Sequence, residues 1–124
     1  TDGESSTSAA LYGADQKLLV AGDLVYNRAY LWLAECKLDA WTKNLQALRS
    51  LGPIETVYPG HGAPEATPAA IDEDIQYLGA AADIFRTAAS ADAAIAQLKQ
   101  KFAYTGGGLL DYSTKIYFAT CKQP

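Results

Sequence analysis

Two side chains that can bind a metal follow apolar stretches of this sequence. The only histidine, His61, stands between Gly60 and Gly62 and follows the apolar stretch 54–58. Asp23 ends a second apolar stretch, 18–22. Imidazole nitrogen and carboxylate oxygen are common ligands of divalent cations. A histidine and an aspartate at two strand ends therefore predict part of a metal site, since catalytic zinc centres use three protein ligands and a water.

Each residue also has a simpler interpretation. Aspartate after a strand often caps a turn through its own backbone, and a single histidine can be a core residue. The two residues follow strands that are separated by one helix, and α/β proteins place sites at such strand ends. Taken together, Asp23 and His61 favour the metal-ligand interpretation.

Patterns of apolar residues predict the elements that position these two residues. Stretches 9–12 and 17–21 flank a turn at 13–16 and predict a hairpin. A helix is expected over 38–51, ended by Gly52 and Pro53, and a strand over 54–58. The apolar stripe of this helix has steps of three and four residues: Leu38, Trp41, Leu45 and Leu48.

The second half of the chain is predicted to be helical. Thr67 as N-cap and Pro68 in the first turn begin one helix, and Ser90 caps another over 91–102. A final helix over 109–120 follows a flexible glycine joint at 106–108. Stretch 26–33 is either a short helix or a loop wall. The predicted fold class is α/β, with a short mixed sheet and three to four helices in a single domain, 1–124.

Composition excludes several classes of function. A net charge of -4 and a pI near 4.8 argue against nucleic acid and anionic membrane surfaces as partners. No apolar run approaches the ~20 residues that span a bilayer. Gly106, Gly107 and Gly108 lack the GK[ST] continuation of a phosphate-binding loop. The acidic triplet 72–74 is interpreted as a solvated helix start, where the helix dipole favours negative charge.

The two cysteines, Cys36 and Cys121, do not define a disulfide framework or a CxxC motif. Burial as small apolar residues is the preferred interpretation, and a bridge between them is the alternative for an exported protein. The absence of methionine leads us to expect a removed leader or a cut N-terminus.

Two segments carry a family resemblance. Residues 21–27, Ala-Gly-Asp-Leu-Val-Tyr-Asn, precede an amphipathic helix and then residues 57–62, Val-Tyr-Pro-Gly-His-Gly. This order resembles the C-terminal half of the metallo-β-lactamase superfamily, an αββα sandwich with a one- or two-metal centre. The resemblance implies that Asp23 binds or bridges the second metal and that His61 is a late ligand. The implied cofactor is one or two zinc ions, with iron or manganese as alternatives.

The resemblance also bears on how much of a site the chain holds. Thr1 to Glu4 resemble the continuation of the family's GHTxG ligand loop, whose histidine would fall just before Thr1. The family's His-x-His-x-Asp-His motif is absent. We therefore expect 1–124 to be a partial domain that is inactive alone and holds zinc weakly or not at all. Four residues either line a substrate mouth or simply pack in the core: Tyr26, Asn27, Tyr30 and Trp32.

Two hypotheses follow for function. In the first, the chain is the C-terminal portion of a metal-dependent hydrolase, in which metal-activated water attacks an ester, thioester, lactam or similar bond of a small-molecule substrate. In the second, it is a non-catalytic half-fold that associates through an exposed sheet face. The expected partner is the missing N-terminal half or a second copy of the chain. The sequence does not separate a cytoplasmic from an exported location.

Overall fold

The structure, a computed structural model, describes residues 1–122 and is an α/β fold. Three strands form one mixed sheet, and four helices follow the order predicted from the sequence. The strands are β1 (Leu11–Gly13), β2 (Leu18–Asn27) and β3 (Thr56–Gly62); the helices are α1 (Leu38–Arg49), α2 (Ala69–Thr87), α3 (Ala91–Lys101) and α4 (Gly107–Thr120).

The sheet has the order β1-β2-β3, so the longest strand lies in the centre. β1 pairs with β2 antiparallel, which confirms the predicted hairpin, and β3 pairs with β2 parallel. Helix α1 is the crossover between the two parallel strands. One cross-strand row consists of Leu11, Val20 and Tyr58, which lie opposite one another and are 73%, 42% and 40% exposed. This row lies on the sheet face that the helices leave uncovered, because neighbouring Leu19 and Ala21 of β2 are buried.

The core lies between β2 and the helices. All four residues of the stripe predicted for α1 are buried, and helices α1 and α2 pack on each other and on β2. Ser90 caps α3 as predicted, since its side chain accepts a hydrogen bond from the backbone N–H of Ala93. None of the helices within residues 1–122 is long and apolar enough to cross a membrane.

The strands extend further than the sequence suggested. β2 continues past Asp23 to Asn27, and β3 starts at Thr56 and includes His61. The prediction of a strand-end position is therefore confirmed for His61, which lies at the end of β3, and wrong for Asp23, which lies inside β2. Tyr26 of β2 and His61 of β3 pair in parallel, and this pairing extends both strands. The partner strand is distant in sequence, so the local pattern does not show it. Residues 28–33 lie outside the helices and strands, and Ala29 makes an isolated bridge with Thr105.

Two predicted helix starts are also corrected. The N-cap of α2 is Pro68 rather than Thr67, and no side chain caps this end. The glycine stretch is not a separate joint, because α4 begins at Gly107. Gly106 is the N-cap and has a φ of 87°, a left-handed conformation that glycine adopts without a steric penalty.

The cysteines form a disulfide between Cys36 and Cys121, so the preferred interpretation of two buried thiols is wrong. The bridge joins the loop before α1 to the end of α4, across 85 residues of sequence. Its Cα atoms lie 5.3 Å apart, within the range that a disulfide spans. The alternative interpretation, a bridge between the two cysteines, is therefore confirmed.

Candidate metal centre

Glu4, Asp23 and His61 converge at one end of the sheet. The Nε2 atom of His61 lies 3.2 Å from Oε2 of Glu4 and 3.3 Å from Oδ1 of Asp23. One ligand atom from each residue lies within 4.8 Å of the other two. All three side chains are partly exposed, so water and small molecules can reach them. Two of the three, Asp23 and His61, are the residues that the sequence singled out.

An irregular part of β2 presents Asp23. The pairing register of β2 with β3 shifts between Val20 and Gly22 and again between Gly22 and Tyr26. Such irregularities turn side chains away from the regular alternation of a strand, and they are frequent next to functional sites. On β3 the facing residue is Gly60, and a Cβ atom there would lie only 2.9 Å from the backbone nitrogen of Asp23. The absence of a side chain at Gly60 lets the two strands approach where the site forms.

The N-terminal loop brings Glu4 to the other two residues. Residues Thr1 and Ser8 close this loop through backbone hydrogen bonds. Asp2 fixes it to the α1 region: its carboxylate pairs with Lys37 at 2.8 Å, and its carbonyl accepts a bond from Asn44 at 2.7 Å. The loop is therefore anchored two residues before Glu4.

Tyr26 is in contact with two of the three candidate ligands. Its ring stacks on the imidazole of His61 with centroids 4.2 Å apart, and its hydroxyl donates a 2.5 Å hydrogen bond to Oε2 of Glu4. Burial, followed by the bond to Glu4, raises the pKa of Tyr26 well above its usual range. The phenol therefore stays protonated and acts as a hydrogen-bond donor that orients Glu4.

The prediction that the acidic triplet 72–74 is a solvated helix start is wrong for Asp74. Asp72 and Glu73 do lie at the surface of α2, in ion pairs with Arg49 and Arg28, but Asp74 is only 1% exposed. Its Oδ2 atom accepts a 2.8 Å hydrogen bond from the backbone N–H of Tyr26. Burial raises the pKa of the Asp74 carboxyl well above its usual value. Because of the helical period, one residue of an acidic run lies on the buried face of the helix. In α2 this residue is Asp74, and its hydrogen-bond donor is the backbone N–H of Tyr26 in β2.

The donor set fits a divalent cation. Two atoms bound to one zinc ion at about 2.1 Å and near the tetrahedral angle lie roughly 3.4 Å apart. The separations of 3.2 and 3.3 Å at His61 match this value. The 3.2 Å contact of His61 with Glu4 is also a hydrogen bond, at the long end of the usual range of about 2.7–3.2 Å, whereas the 3.3 Å contact with Asp23 lies just beyond that range. One nitrogen and two carboxylate oxygens suit zinc, iron or manganese.

Comparison with known proteins does not assign this chain to a family. No protein-family model matches this chain, and no curated protein matches its sequence significantly. The geometry of the site is therefore the main support for a functional assignment.

The other residues considered for a substrate mouth have different surroundings. Asn27 donates from Nδ2 to the carbonyls of Ala63 and Glu65 and lines a surface cleft of about 480 Å³. Tyr30 is buried, and its hydroxyl donates to the carbonyl of Phe102. Trp32 is half-buried, with its ring 5.8 Å from that of Tyr112. The position of Tyr30 is therefore explained by packing. Among the four residues, only Tyr26 contacts His61 or Glu4 in the part of the chain that the structure describes, residues 1–122.

Sequence reasoning missed Glu4. The family resemblance relates its loop to a metal-ligand loop but assigns no role to the Glu4 carboxylate. The signal was present, since Glu4 is one of two acidic residues in the segment 1–8. Nothing in the local pattern shows that this segment folds back onto β3.

Proposed function

We propose that Glu4, Asp23 and His61 hold a divalent cation and that this centre serves the hydrolysis of an ester, thioester, lactam or similar bond. The convergence of three ligand atoms within 4.8 Å is the observation that carries the proposal. Three protein ligands match the number that catalytic zinc sites use. The resemblance of segments 21–27 and 57–62 to the metallo-β-lactamase superfamily supports the choice of hydrolysis over other metal chemistry.

Each residue has a distinct task in this proposal. Neutral His61 offers the nitrogen ligand, while the carboxylates of Asp23 and Glu4 balance the charge of the cation. When bound, such a cation lowers the pKa of a water toward ~7 and polarises the bond under attack. Tyr26 orients two ligands, one by stacking and one by its hydroxyl. The exposed side of Asp23, with 53% of its side chain accessible, leaves room for a small substrate.

Zinc binding by the purified chain tests this proposal. The expectation of weak or absent zinc binding rested on Asp23 and His61 alone; with Glu4 as a third ligand, isothermal titration with zinc should give one site. His61→Asn should weaken binding at least about tenfold, which is ~1.4 kcal/mol. Asp83→Asn is the matched control, because Asp83 is an exposed carboxylate that pairs with Arg86 on α2. Wild type that binds no zinc, or that binds it equally well without His61, would refute the metal centre.

Hydrolysis is tested separately, with nitrophenyl ester, thioester and lactam substrates in the presence of zinc. We expect turnover when the chain is mixed with an N-terminal half that carries the His-x-His-x-Asp-His motif. Turnover by the chain alone would show that the three ligands suffice. Zinc binding without turnover in either case would leave a metal site and remove the hydrolase assignment.

A second proposal, assembly through the sheet face, is favoured by the exposed apolar row of Leu11, Val20 and Tyr58. Exposed apolar side chains that line up across three strands form the kind of patch that partners cover. We propose that the complementary half of an αββα sandwich packs here, and that the isolated chain self-associates through this face. Light scattering should show a dimer that Val20→Thr with Tyr58→Ser dissociates. A stable wild-type monomer that does not bind an apolar dye would exclude this second proposal.

A further inference from the structure

Side chains of two helices form hydrogen bonds with the backbone of the irregular segment of β2. Trp41 of α1 donates from Nε1 to the carbonyl of Leu24 at 2.9 Å, and Asp74 of α2 accepts from the N–H of Tyr26 at 2.8 Å. These bonds lie within and at the end of the segment in which the pairing with β3 loses its register. The side chains replace contacts that a regular ladder supplies elsewhere in the strand.

Asp74 is an unusual residue for its position. A carboxyl that is 1% exposed on the inner face of a helix loses hydration, and it stabilises the fold less than an apolar side chain would. Its bond to Tyr26 recovers part of this cost. Tyr26 in turn stacks on His61 and donates to Glu4. A chain of direct contacts thus runs from Asp74 through one residue to two of the three proposed ligands.

We propose that Asp74 is a positioning residue of the metal centre, which fixes the backbone of Tyr26 and through it the ring of His61 and the carboxylate of Glu4. The metal part of this inference rests on the proposed function; the positioning of His61 does not. Groups that orient the ligands of a metal commonly change its affinity by about 10–100-fold when they are removed.

Two variants separate positioning from general stabilisation. Asp74→Leu is close in shape but cannot accept the hydrogen bond, whereas Asp74→Asn retains an acceptor oxygen. Asparagine also lacks the negative charge whose burial raises the pKa of Asp74. Leu98→Ala serves as the control for stability, because Leu98 is fully buried in α3, which carries none of the site residues.

NMR of the metal-free protein gives the first readout, and its interpretation is direct because the chain has a single histidine. The rings of Tyr26 and His61 stack with centroids 4.2 Å apart, so the ring current of Tyr26 should shift the imidazole C–H signals of His61. Asp74→Leu should move these signals toward those of a free imidazole, while Asp74→Asn and Leu98→Ala should leave them near wild type. Unchanged His61 signals in Asp74→Leu would overturn the inference.

Zinc titration gives the second readout. Affinity should fall about 10–100-fold in Asp74→Leu and recover in Asp74→Asn. If Asp74→Leu does not fold, the wild-type amide of Tyr26 still decides: slow hydrogen exchange supports its bond to Asp74, and exchange as fast as that of the exposed turn 14–16 overturns it. If wild type binds no zinc, the proposed function fails, whereas the His61 signals still decide the role of Asp74.

Discussion

Gly60 of β3 lies directly against the backbone of Asp23 in β2. A Cβ atom on Gly60 would lie 2.7 Å from the carbonyl carbon of Gly22 and 2.9 Å from the nitrogen of Asp23, distances that real Cβ atoms do not tolerate. The contact joins the strand that carries His61 to the strand that carries Asp23. A residue that takes no part in chemistry thus sets how close the two candidate ligands come.

Gly60→Ala should therefore damage both the fold and the site. We expect a loss of about 1–3 kcal/mol in the free energy of unfolding, typical of overpacking against backbone, together with weaker zinc binding. Gly79→Ala is the matched control, because Gly79 is exposed in α2 and a Cβ atom there meets nothing within 4 Å. That change should stabilise the helix by roughly 0.5–1 kcal/mol. Urea unfolding and zinc titration of both variants check the contrast, and equal effects would contradict the close approach.

Glu4→Gln tests whether the site has three protein ligands or two. Glutamine keeps the size of the side chain but removes its charge, so zinc affinity should fall by roughly tenfold or more, ~1.4 kcal/mol. Glu55→Gln provides the control, since Glu55 is exposed and pairs with Lys17 away from His61. Affinity that is unchanged in Glu4→Gln would reduce the site to Asp23 and His61.

Stability should depend on pH through Asp74. Its pKa is raised in the folded state by burial, while in the unfolded chain it titrates near ~3.9. Between these two pKa values, the folded protein holds a proton that the unfolded chain has released. The stability that Asp74 contributes is therefore full below about pH 4. It is lost as pH rises through the folded pKa, by at most ~1.4 kcal/mol per pH unit.

Comparison with Asp74→Asn isolates this effect, because asparagine does not titrate. The free energy of unfolding of wild type minus that of Asp74→Asn should decrease as the pH rises above about 4, as measured by urea unfolding. A difference that stays constant as the pH rises would mean that Asp74 has the same pKa in both states.

The disulfide should contribute strongly to stability. Replacing Cys36 and Cys121 together by serine removes a cross-link between residues that are 85 positions apart in the sequence. This should lower the free energy of unfolding by about 2–4 kcal/mol. Urea unfolding measures the loss. Dithiothreitol should destabilise wild type to the same extent and leave the double variant unaffected. A reductant effect of equal size on both proteins would show that it does not act through this bridge.

Elements with a strong local pattern were predictable from the sequence. The stripe of α1 was identified in full, because residues three and four apart share one face of a helix and must be buried together. Ser90 at the start of α3 was identified because capping depends on neighbouring backbone groups. Prediction failed where a distant group decides the outcome: β3 extends through His61 only because β2 lies beside it.

The sequence alone determined the α/β order of elements and singled out Asp23 and His61, since both rest on local periodicity and on chemistry that a residue carries wherever it lies. Only the tertiary structure decided that Glu4 meets His61 across 57 residues, that Asp74 meets Tyr26 across 48, and that Cys36 meets Cys121 across 85. The physical reason is that an apolar pattern shows which face of an element is buried, but not which remote side chain fills the space against it.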